Sequence, residues 1–107
     1  MKILGMISGT SHDGIDAVLV DFRLDGEELK ASVEKTGSAS YEPQLRNRLM
    51  QLLPPNETTI EEVCKVDTLI GKAFANLAKD MVQTTAADLV VSQGQTVYRW
   101  VEADQAL

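Results

Sequence analysis

Two apolar runs, Ile3 to Ile7 and Ile15 to Val20, flank a short polar stretch, Ser8 to Gly14, and this pattern most constrains the fold. Runs of Ile, Leu and Val bounded by Gly and Ser form strands, and so short a spacer joins them as a tight hairpin. Gly9 and Gly14 can adopt positive φ or let another group approach the backbone closely. Thr10, Ser11 and Asp13 add two hydroxyls and a carboxylate. Inward-turned N–H groups on a curved backbone, together with hydroxyls, make an anion cradle, and a carboxylate beside them can hold Mg²⁺ through water. The same residue types fill turns for purely local reasons, so composition alone favours a plain hairpin.

The chain has 107 residues, enough for a single domain with a modest core. Its net charge of −6 disfavours general binding to nucleic acid or anionic membranes. A nucleotide site remains compatible with that charge, because backbone dipoles rather than net charge hold the phosphates. No apolar stretch approaches the ~18 residues that a membrane-spanning helix needs. The start of the chain enters a strand at once and lacks a signal-peptide layout, so a cytoplasmic location is expected. Cys64 stands alone, which leaves no internal disulfide and no cysteine metal site; it reads as a small buried apolar residue.

Beyond Asp21, Phe22 to Leu24 finish the second strand and Asp25-Gly26 signals a second hairpin turn. Leu29 to Ser40 reads as a third strand, with Leu29, Ala31 and Val33 alternating against Lys30, Ser32 and Glu34, thin enough in apolar content for an edge. Pro43 opens a short helix through Leu53 with Leu45, Leu49 and Leu52 or Leu53 on one face, ended by Pro54-Pro55-Asn56. Thr58 or Thr59 caps a long helix running to about Thr84, with Glu61 and Glu62 in its first turn. Its stripe of Ile60, Val63, Cys64, Ile70, Phe74, Leu77, Ala78 and Met81 is expected to pack on the sheet, with Gly71 allowing close approach. Asp67 interrupts the stripe as a locally paired carboxylate. Leu89 to Val91 is a continuous apolar run, expected to be a buried strand parallel to the first. Ser92, Gln93, Gly94, Gln95 and Thr96 follow at its carboxyl end, where ligands of α/β sheets bind; amides and hydroxyls there suit sugar hydroxyls, although a polar turn is the plainer reading. Tyr98, Trp100 and Val101 read as a further strand, with Glu102 to Gln105 turning towards a return strand that reaches Leu107.

The order of residues goes further than composition. Gly9-Thr10-Ser11-His12-Asp13-Gly14-Ile15-Asp16, preceded by Met6 and Ser8, resembles the M-S-G-T-S-x-D-G-x-D signature of the anhydro-N-acetylmuramic acid kinases, with Ile7 inserted between Met6 and Ser8. Ser92 to Val97 resembles that family's S-H-G-Q-T-V run, and Leu69 to Ala75 its L-G-x-x-F-A helix. Gln93 and Arg99 stand where the family carries histidines. Glutamine can bond a sugar but does not ionise near neutral pH, and arginine is permanently charged.

The resemblance implies an α/β fold: the start of a ribonuclease-H-like, actin-like ATPase domain. This would be a three-stranded antiparallel meander, two helices and a parallel strand, incomplete within residues 1–107. It implies that Gly9, Thr10, Ser11, His12, Asp13, Gly14, Ile15 and Asp16 form the ATP phosphate loop; Asp13 and Asp16 lie on that loop, where they can organise Mg²⁺ (Asp13 through water) or the loop's geometry. His12 falls at the family's variable position and reads as a loop side chain. Ser92, Gln93, Gly94, Gln95 and Thr96 would contact anhydro-N-acetylmuramic acid or a related amino sugar. The implied reaction opens the 1,6-anhydro ring with water and phosphorylates O6 in cell-wall recycling, while the general-base aspartate is expected beyond residue 107. The alternative is a non-catalytic domain that folds or oligomerises through its open sheet edge.

Overall fold

The computed structural model describes residues 1–103 and the backbone of residues 105–106. Strands β1 (Lys2–Ser8), β2 (Gly14–Asp25) and β3 (Glu28–Ser40) form the expected antiparallel meander. Helices α1 (Pro43–Gln51) and α2 (Ile60–Met81) follow, and β4 (Leu89–Gln95) returns parallel to β1, giving the order β3-β2-β1-β4. Asp88 seats that return, because its backbone N–H donates to the Lys2 carbonyl and its carboxylate accepts from the Lys2 N–H, both at 2.7 Å. A separate two-stranded ribbon pairs β5 (Val101–Glu102) with β6 (Gln105–Ala106). The expected strand over Tyr98 and Trp100 begins only at Val101, and the continuation at Leu107 lies outside the described residues.

One face of the sheet carries the core. Leu4 and Met6 of β1 lie opposite Leu19 and Ala17 of β2, and with Ile15 they are buried beneath Val66, Ile70, Phe74, Leu77 and Met81 of α2. Leu49 of α1 and Tyr41 close the end of this layer. Gly37 of β3 marks the closest approach, since a Cβ there would sit 2.6 Å from the Met81 sulfur. Gly71, expected to fill that role, is exposed and meets nothing.

The α2 stripe starts later than its periodicity suggests. Ile60 is 89% exposed, and Val63 and Cys64 also face outward, so the first turn projects past the sheet and Cys64 is not the buried residue expected. The helix ends at Met81 rather than near Thr84, and α1 ends at Gln51 rather than Leu53. Thr59 is the cap, its hydroxyl accepting from the Glu62 N–H at 3.1 Å. Asp67 is exposed and has no ion-pair partner among the described residues.

Two bulges break the period-two pattern. In β3 the register passes from Lys35 opposite Leu19 to Val33 opposite Val20, leaving Glu34 as the extra residue. Leu29, Ala31 and Val33 therefore lie on the outer face, while Gly37 and Ala39 lie on the helix face. In β4 the register passes from Ser92 opposite Met6 to Gln95 opposite Ser8, an extra residue on β4 accommodated at Gly94, whose φ is 79°. The run Leu89 to Val91, expected to be buried, is about half exposed, with Val90 at 53%. A parallel strand reads as a continuous apolar run because both its faces are normally covered, and here β4 is an edge with little above or below it.

Candidate functional site

The carboxyl ends of β1 and β4 converge on the β1–β2 turn, and a buried hydroxyl lies at that junction. Ser8 is 1% exposed, and its Oγ lies 2.5 Å from the Gly14 carbonyl and 2.6 Å from Gln95 Oε1. Gln95 reaches this place because of the Gly94 bulge, which turns its side chain onto the face that Ser8 shares. The Tyr41 hydroxyl donates to the same Oε1 at 2.9 Å. Burial pushes the Tyr41 phenol above its ordinary 10.0, with the Ser8 hydroxyl pulling the other way, so it remains a protonated donor near neutral pH.

On its other side the Gln95 amide nitrogen donates to the Gly9 carbonyl at 2.9 Å and to the Thr96 carbonyl at 2.8 Å. Two carbonyls can only accept, so they fix the NH₂ on their side and the oxygen towards the hydroxyls. The Thr96 carbonyl takes a second donor, His12 Nε2, at 2.9 Å. The same logic places a proton on that nitrogen.

Above this base stands the tip of the turn. The His12 N–H closes it onto the Gly9 carbonyl at 3.4 Å, and His12 itself has a φ of 55°. Gly9, Thr10, Ser11 and Asp13 are exposed. Ser11 Oγ donates to Asp13 Oδ1 at 2.9 Å, which orients the carboxylate, and the Asp13 carbonyl accepts from the Tyr41 N–H at 3.0 Å. Gly14 is wedged against the Ala39 carbonyl and the Ser40 backbone, where no Cβ fits. Asp13 and Asp16 open on one polar cleft together with Ser11, Ser38 and Ser40. Ile15 lies within the phosphate-loop motif, yet its side chain is 1% exposed and belongs to the core.

The second set of candidate residues is divided by the sheet. Ser92, Gly94 and Gln95 line a groove with Leu49, Val66, Asp67 and Phe74 beside the helices. Gln93 lies on the opposite face with Gly5, Ile7, Asp16 and Val91. The five residues Ser92 to Thr96 therefore do not form one continuous lining. The Ser92 hydroxyl accepts from the Gly94 N–H at 3.1 Å and so supports the bulge. Arg99 is exposed in the segment between β4 and β5. Ser8 stands in the signature but outside the loop residues expected to hold phosphate, and Tyr41 carries no sequence signal of a site; the one available hint to their meeting is Gly94, since a glycine inside a strand often marks a bulge.

Comparison with known proteins identifies the family. The sequence model of the family described as anhydro-N-acetylmuramic acid kinase matches residues 1–107. The anhydro-N-acetylmuramic acid kinase of Rhodococcus erythropolis is 39% identical over 108 residues, covering 98% of this chain and 27% of the relative. That of Streptomyces coelicolor is 43% identical over 105 residues, covering 95% and 27%. The Synechococcus elongatus protein of the same name is 36% identical over 99 residues, covering 92% and 26%. The chain thus spans about a quarter of the length of these curated relatives, with 27% the share in the first two. It belongs to the anhydro-N-acetylmuramic acid kinase family.

Proposed function

We propose that this chain is the N-terminal, nucleotide-holding part of an ATP-dependent anhydro-N-acetylmuramic acid kinase with the ribonuclease-H-like fold of actin-like ATPases. The observation that carries the reading is the β1–β2 turn. Its hydroxyl-bearing tip at Thr10 and Ser11 is open, while its base is fixed by Ser8, Gln95 and Gly14. A rigid base under an open, N–H-rich tip suits phosphate, since preorganised donors bind charge without reorganising.

Asp13 fits Mg²⁺ in the manner of kinases that hold the ion mainly through water and substrate phosphates. Its carboxylate is exposed, oriented by Ser11 and shares a cleft with Asp16. No group of three or more potential metal ligands occurs among the described residues. The bound ion would neutralise charge on the phosphates. Ser92, Gly94 and Thr96 are proposed to border the sugar, with Gln93 and Arg99 altering its surroundings relative to the family pattern. The ring-opening base is proposed to lie in the part of the relatives that this chain does not span, and the location to be cytoplasmic.

Calorimetric titration with Mg-ATP tests the reading. Binding at millimolar concentration or tighter is expected. Asp13→Ala should weaken it about ten-fold or more, ~1.4 kcal/mol. A well-folded chain that does not bind Mg-ATP would overturn it. A second reading, association without catalysis, is favoured by one observation: the outer sheet face bears exposed Leu24, Leu29, Val33, Leu89 and Val91.

A further inference from the structure

The Gln95 carboxamide uses all of its hydrogen-bonding capacity inside the protein. Its oxygen accepts from the Tyr41 hydroxyl and faces Ser8 Oγ, and its nitrogen donates to the Gly9 and Thr96 carbonyls. An amide so engaged has no donor left for a sugar hydroxyl, although Gln95 lies in the segment expected to contact one. The bonds instead join three parts of the fold: the end of β1, the phosphate-side turn at Gly9 and the residue that leads into α1. His12 adds a second connection from the tip of that turn to the Thr96 carbonyl.

We propose that Gln95 is a positioning residue that fixes the β1–β2 turn in its phosphate-accepting shape, rather than a sugar ligand. The sugar-side segment Ser92 to Thr96 and the phosphate-side turn Gly9 to Asp13 then move as one body. Movement imposed on one by its ligand is transmitted to the other through the Gly9 and Thr96 carbonyls. The inference deepens the kinase reading and rests on it for the identity of the anion, but not for the mechanical role.

Glutamate at position 95 separates the two halves of the arrangement. It keeps oxygens for the Ser8 and Tyr41 hydroxyls, and it places a lone pair where the Gly9 and Thr96 carbonyls need a donor. Residue-resolved amide exchange on the whole chain is measured for the parent, Gln95→Ala and Gln95→Glu, together with Mg-ATP titration. The Thr96 N–H donates to the Ser8 carbonyl at 3.3 Å and the His12 N–H to Gly9, so these two amides report on the turn. Their exchange should rise ten-fold or more in both variants, while the Leu4 and Leu19 amides in the core keep their rates. Mg-ATP affinity should fall at least ten-fold in both.

A residue that merely stabilised the fold would speed core and turn amides alike, and a sugar ligand would leave the turn and the Mg-ATP affinity unchanged. Either result overturns the proposal, as does faster turn exchange with unaltered affinity in a parent that binds. If the parent does not bind Mg-ATP, the kinase reading fails for this chain, and the exchange rates alone decide the positioning role. If Gln95→Ala does not fold, Tyr41→Phe, which removes one hydroxyl from the same amide, should give a smaller rise at His12 and Thr96. No rise there would overturn the proposal.

Discussion

Three glycines show how differently the same residue can be constrained. At Gly14 a Cβ would run into the Ala39 carbonyl and the Ser40 backbone, which strand pairing holds in place. Gly14→Ala should therefore distort the turn and lower the thermal midpoint. At Gly37 the obstacle is the Met81 sulfur, part of a flexible side chain in a filled layer, so Gly37→Ala should cost about 1–2 kcal/mol as overpacking. At Gly71 a Cβ meets nothing within 4 Å inside a helix. Gly71→Ala should stabilise by about 0.5–1 kcal/mol through backbone entropy. Urea denaturation of the three variants checks the order, and a destabilised Gly71→Ala would contradict it. Asp21 adds a pH effect. Arg23, bonded to its carboxylate at 3.0 and 3.1 Å, holds it below its ordinary 3.8, with the N-terminal ammonium helping. A lowered folded value means that its contribution is present above 3.8 and is lost as pH falls through the lower value. Asp21→Asn should therefore reduce stability at pH 6, and the two proteins should converge in strong acid.

At the scale of elements, α2 shows a side chain diverted from a familiar local role. Thr59 and Glu62 have capping-box spacing, but the Glu62 carboxylate turns to Arg48 Nε at 2.8 Å and links α1 to α2. That pair is more than a third exposed on both sides, where solvent screens the charges, so Arg48→Ala should leave the denaturation midpoint nearly unchanged. Thr59→Ala should cost about 1 kcal/mol, because the Glu62 N–H then has no acceptor within the helix. The meander, both helices and the parallel return of β4 were legible in the sequence, since apolar period, turn residues and caps are local signals. The bulges at Glu34 and Gly94 were not, because they depend on the register of a partner strand. The same limit applies to the site. Gly9 to Asp16, with Met6 and Ser8 before it, stood out as a motif, whereas Tyr41 and the structural role of Ser8 emerged only once Gly94 had brought Gln95 against them.

The whole molecule is a slab of 52 × 38 × 20 Å, with a sheet and one helical layer. Its radius of gyration is 16.5 Å, against ~13 Å for a compact domain of this length. The outer face of the sheet is uncovered: Leu24 is 74% and Leu29 65% exposed, with Val33, Leu89 and Val91 on the same side. Each such side chain gains ~1.5–3 kcal/mol on full burial, so several together favour whatever surface can cover them. In a solution of this chain alone, that surface is a second copy. Sedimentation velocity should therefore show association that increases with concentration, and Leu89→Lys with Val91→Lys should return the protein towards monomer. The helix-side core lies on the other face, so the same double variant should keep its thermal midpoint within a few degrees. A chain that remains monomeric at high concentration would show that the exposed leucines and valines are tolerated singly in water, and that the association reading has no physical basis.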